Sequence, residues 1–93
     1  MIKVIMERTI KGRNVSEIVR LLRMLRVKAM QQPGYISGET LHAIDDPNSY
    51  LVISTWENLK DWEAWFNNPE RQKLQAELDK YLEVPTNMRI FTY

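Results

Sequence analysis

Three tryptophans, Trp56, Trp62 and Trp65, fall within the short segment STWENLKDWEAWFNNPE, residues 54–70. Each has a large apolar body and an indole N–H that requires an acceptor when buried. Together they mark either a corner of the core or the wall of a flat apolar pocket. The acid–base groups available to such a pocket are few. His42 is the single histidine, a potential proton shuttle or axial haem ligand, or simply a strand residue bonded to a neighbour. Glu7 interrupts an apolar run. On an inner face its carboxyl pKa would rise and it could act as a base; at a rim it would pair with a nearby Lys or Arg. Glu39 presents the same choice. The stripe Arg20, Arg23, Arg26 and Lys28 reads as a solvated helix face, with no interleaved aromatics to suggest RNA recognition.

The composition removes several kinds of chemistry. With no cysteine and one histidine, the chain has no thiolate site and too few ligands for most zinc sites within one subunit, so no metal residues are expected. It has no Gly-x-Gly-x-x-Gly, Walker A or Gly-x-Ser-x-Gly motif. A formal net charge of +1 argues against a dedicated nucleic-acid or anionic-membrane binder. No stretch approaches the ~18 apolar residues of a membrane span, and the N-terminus lacks a secretory pattern, so a cytoplasmic protein is expected. Ninety-three residues make a single domain, 1–93. So small a core is commonly supplemented by oligomerisation.

Residues 2–10 read as a strand ending at Lys11-Gly12. Asn14 with Glu17 reads as a capping box, starting a helix whose stripe is Val15, Ile18, Leu21, Leu22, Leu25 and Ala29 and which stops before Pro33-Gly34. Strands follow at 35–44 and 49–56, joined by the turn Asp45-Asp46-Pro47-Asn48. Asn58 caps a short helix to about Phe66, and Pro69 opens another to about Tyr81. Residues 88–93 form the last strand. This order predicts an α+β ferredoxin-like βαββαβ subunit with an antiparallel four-stranded sheet.

The third strand directs Leu51, Ile53 and Thr55 to one face and Tyr50, Val52, Ser54 and Trp56 to the other. Both faces carry apolar groups, so the sheet needs a second cover besides its own helices. A second copy of the sheet would supply it, predicting a homodimer.

The segments PGYISGETL, Thr55-Trp56-Glu57 and LKDWEAWFNNPERQKL, in this element order, resemble the antibiotic biosynthesis monooxygenase family. The resemblance implies a dimeric α+β barrel with a pocket between sheet and helices in each subunit. It also implies a small cofactor-independent monooxygenase acting on an aromatic, phenolic or quinol-like substrate, although some relatives degrade haem. The haem-degrading branch uses an asparagine, a tryptophan and a histidine at the positions of Glu7, Trp65 and Gln75 here, and only the tryptophan is retained. The histidines that the commoner form carries near Trp65 and Glu70 are also absent. On this footing Glu7 is the expected catalytic base, and Trp65, Gln75 and His42 are expected to line the substrate pocket. No cofactor is expected, with haem and flavin left open. Two other readings stand beside this one: a non-catalytic small-ligand-binding or stress-related dimer, and haem binding through His42 without degradation.

Overall fold

A computed structural model describes residues 1–93. The chain runs through β1 (Ile2–Thr9), α1 (Val15–Met30), β2 (Tyr35–His42), β3 (Ser49–Trp56), α2 (Leu59–Phe66), α3 (Pro69–Asp79) and β4 (Asn87–Thr92). The four strands form one sheet in the order β2-β3-β1-β4, every neighbouring pair antiparallel. This is the expected ferredoxin-like arrangement.

β1 sits between β3 and β4, and its alternation sorts the interior from the outside. Ile2, Val4, Met6 and Arg8 are buried, whereas Glu7 on the opposite face is exposed. On the buried side the core gathers Ile18, Leu21 and Leu25 from α1, Trp62 and Trp65 from α2, and Leu74 and Leu78 from α3. Trp56 is fully buried, meeting Tyr35 edge-on at 5.4 Å and Trp62 at 5.6 Å. Its indole N–H donates to Ser54 Oγ at 3.1 Å, which meets the requirement for a partner.

The other face has no cover from the chain itself. Register places Ile5 between Ile53 and Arg89, and Leu51 opposite both Glu7 and Leu41. Leu41 and Phe91 are exposed. The helices thus account for one face only.

Local signals place most boundaries correctly. Asn58 Oδ1 accepts from the Asp61 N–H at 2.8 Å, and Asn68 Oδ1 from that of Glu70 at 2.9 Å, with Pro69 in the first turn of α3. Two details differ from the sequence reading. Asn14 makes no side-chain cap; the Glu17 carboxylate is instead held by Arg20 in two hydrogen bonds of 2.6 and 3.0 Å. A bidentate charged partner outcompetes one backbone N–H. Second, α3 stops at Asp79 rather than near Tyr81. The Lys11 N–H donates to Tyr81 O and the Glu83 N–H to Thr9 O, so an Ile10–Leu82 bridge draws the chain off the helix.

Gly34 follows α1 with φ +85°, and a Cβ there would lie 2.6 Å from Asp61 Cγ. Its carbonyl also accepts from the Glu57 N–H at 2.8 Å, so the loop cannot move away freely. Gly34→Ala is expected to destabilise the fold by about 2 kcal/mol or more, combining left-handed strain with the clash. Urea unfolding of the two proteins checks this; equal midpoints would contradict the close approach.

Candidate functional site

The space left between the sheet and the three helices holds a small cavity of about 80 Å³. Trp56 comes from the end of β3, and Met6 and Arg8 from β1. Trp62 and Trp65 are three residues apart on α2, so one helix face turns both toward the sheet. α3 restarts after the Asn67-Asn68-Pro69 break and brings Arg71 back across α2. The Arg71 guanidinium lies 5.6 Å from the ring centre of Trp62 and 4.8 Å from that of Phe66, within cation–π range.

A larger, more open cleft of about 510 Å³ adjoins the cavity beneath α3 and the segment leading to β4. Met6 and Arg71 border both spaces. Gln75, Asp79 and Thr86 line the cleft and are joined by hydrogen bonds. Gln75 Nε2 donates to Asp79 Oδ1 at 2.7 Å and, more weakly, to Thr86 Oγ1 at 3.5 Å. Its amide oxygen accepts from an Arg8 terminal nitrogen at 3.0 Å.

Of the four residues expected at the site, two border these spaces, one in each. Trp65 is buried and lines the cavity. Gln75 borders the cleft and is bonded to Arg8. Glu7 does not reach either space: the alternation that buries Met6 and Arg8 turns it onto the uncovered face, opposite Leu51 and Asn87. The expectation that it faces the pocket is corrected accordingly. His42 is exposed at the end of β2, its ring 4.3 Å from that of Tyr50, and borders neither space. Glu39 runs along the cavity edge but pairs with Ile53 of the uncovered face.

The sequence reading missed Arg8 and Arg71 as site residues. Both are only 5% exposed, and the signal for each was periodic. Arg8 continues the two-residue alternation of Val4 and Met6, and Arg71 continues the helical phase of Leu74 and Leu78. Neither arginine forms an ion pair. Burial, and then repulsion from Arg71, pushes the Arg8 pKa down to about 10, with Asp79 acting in the opposite direction. Arg71 is lowered as well, chiefly by burial and again opposed by Asp79.

The lowered Arg8 pKa has a definite consequence for stability. A base whose folded pKa lies below its unfolded one destabilises the fold while charged, here at every pH below about 10. The penalty is relieved only as pH rises from there toward the unfolded value. The shift corresponds to roughly 3 kcal/mol at neutral pH. Arg8→Met, which keeps length and loses charge, is therefore expected to stabilise the protein by about 1–3 kcal/mol at pH 7. Denaturant titration provides the measurement, and a clear loss of stability would show that Arg8 is favourably held.

Comparison with known proteins places this geometry in context. The sequence profile described as antibiotic biosynthesis monooxygenase matches residues 1–77. Protein SchA of Streptomyces halstedii is 23% identical over 88 residues, 95% of this chain. The chain spans only 23% of the length of that relative. Among solved structures, SnoaB, a cofactor-independent oxygenase from Streptomyces nogalater, superposes with a TM-score of 0.88 at 18% identity, covering 99% of this chain and 91% of that one. A conserved protein from Methanosarcina mazei Go1 gives 0.89 at 17% identity, covering 97% and 89%. The structural matches establish the shared fold, and the profile match over most of the sequence establishes the family: this chain belongs to the antibiotic biosynthesis monooxygenase family.

Proposed function

We propose that this protein is a small cofactor-independent monooxygenase that takes an aromatic, phenolic or quinol-like substrate between its sheet and helices. The observation that carries the reading is the tryptophan-walled cavity that shares Met6 and Arg71 with a wider cleft, in a chain of this family. Flat apolar walls suit an aromatic ring by area and by stacking geometry. At about 80 Å³ the cavity itself is smaller than the roughly 300–1,000 Å³ typical of ligand sites. The adjoining cleft, at about 510 Å³, is within that range, so a substrate would enter there and insert its ring past Arg71.

In such a reaction the substrate is the reductant. A phenol and one O₂ give a quinone and one water: one oxygen atom joins the ring, and the other leaves with the two hydrogens removed. The protein's part is to hold the ring, exclude water and favour the deprotonated form that donates an electron to oxygen. Trp65 is the proposed stacking wall. The side chains of Glu7 and His42 lie outside the cavity, which favours the non-catalytic ligand-binding alternative over any mechanism routed through them.

Oxygen uptake on a panel of polycyclic phenols and quinols separates the two readings. Turnover is expected, with Trp65→Phe lowering kcat/KM by about tenfold through loss of positioning. Saturable tryptophan quenching by the same compounds without oxygen uptake would favour the binding protein.

The uncovered sheet face, with Ile5, Leu51 and Ile53 at its centre, is the proposed contact with a second copy. Sedimentation is expected to show a dimer at micromolar concentration, and Ile53→Asp to shift it to a folded monomer. A wild-type monomer would refute the assembly.

A further inference from the structure

We propose that the ligand carries an anionic planar oxygen group, a carboxylate on an aromatic ring, which docks between Arg8 and Arg71 while the ring lies against the tryptophans. This rests on the ligand-site reading above and names the class of molecule that the site selects.

The two arginines hold hydrogen-bond donors that no protein acceptor uses. A guanidinium presents five N–H groups and cannot accept. Arg8 uses one terminal nitrogen on the neutral amide of Gln75, and its Nε is buried with no partner at all. Arg71 makes no side-chain hydrogen bond or ion pair and lies over the rings of Trp62 and Phe66. Buried polar groups are normally satisfied, and this orphaned Nε belongs to a side chain that lines the cavity.

Charge gives the second line. Two buried cations border one cavity and repel each other, and burial with that repulsion lowers the Arg8 pKa. The carboxylate acting on both, Asp79, receives a hydrogen bond from Gln75 rather than from either arginine. An anion entering the cavity would relieve the repulsion and supply acceptors together.

Shape gives the third. A carboxylate is planar with two oxygens, matching the fork of a guanidinium, and is ionised at neutral pH before it binds. Arg71 borders both the cleft and the cavity, so it meets the anion on the way in, and Arg8 meets it inside. The tryptophan walls accept the ring. Neutral aromatics would use those walls alone and leave both cations uncompensated.

Calorimetric titration of the full chain with 2-naphthoate and its neutral counterpart 2-naphthalenemethanol provides the test. The naphthoate is expected to bind at least about tenfold more tightly. Arg8→Met and Arg71→Met should each remove most of that preference while changing the neutral ligand's affinity less than about twofold. Arg71→Lys, which keeps the charge without the fork, should give an intermediate loss and remains informative if the Met variant fails to fold. Equal binding of the two ligands, or equal losses for both in the variants, would overturn the anion site while leaving the aromatic pocket standing. If neither ligand binds, the ligand-site reading itself fails.

Discussion

The position of β1 at the centre of the sheet is the constraint on which the rest of this structure depends. Paired on both sides, with β3 and β4, it cannot slip without moving its whole set of side chains to the other face. Its register therefore decides that Met6 and Arg8 enter the interior and that Glu7 does not. A shift of one residue would exchange a cation for a carboxylate in the cavity wall. Strand pairing thus fixes which β1 side chains face the candidate site.

The helices then cover that face and leave a cavity beneath them. α2 contributes two tryptophans from one side of a short helix, and the break at Asn67-Asn68-Pro69 lets α3 carry Arg71 back over them. The result is an interior both aromatic and cationic. Aromatic burial stabilises the fold: Trp56, Trp62 and Trp65 are each no more than 4% exposed. Burial of the two guanidiniums opposes it.

The uncovered sheet face is a separate consequence of the same arrangement. With all helices packed on one side, Ile5, Leu51 and Ile53 lie on a surface that the subunit does not close for itself. On the proposed reading, the inner face takes a ligand and the outer one a second copy.

Much of this was legible in the sequence. Period-two alternation in residues 49–56, the Asn58 cap and the Pro69 restart act over a few residues, so the element order and fold follow from local chemistry. The tryptophan spacing likewise marked an aromatic cluster that the fold buries. Legibility failed where a side chain's role depended on its neighbours across the fold. Glu7 matched a functional position by resemblance, but the face it occupies was settled by pairing with β3 and β4. Asn14 and Glu17 formed a plausible cap until Arg20 took the carboxylate. The partnership of Arg8 with Arg71, 63 residues apart, is outside any local pattern, because only tertiary packing brings β1 and α3 against one cavity. The sequence by itself determined which elements form and where the apolar and aromatic surface lies; the tertiary structure decided which charges are buried with it, since burial is set by contacts between distant segments.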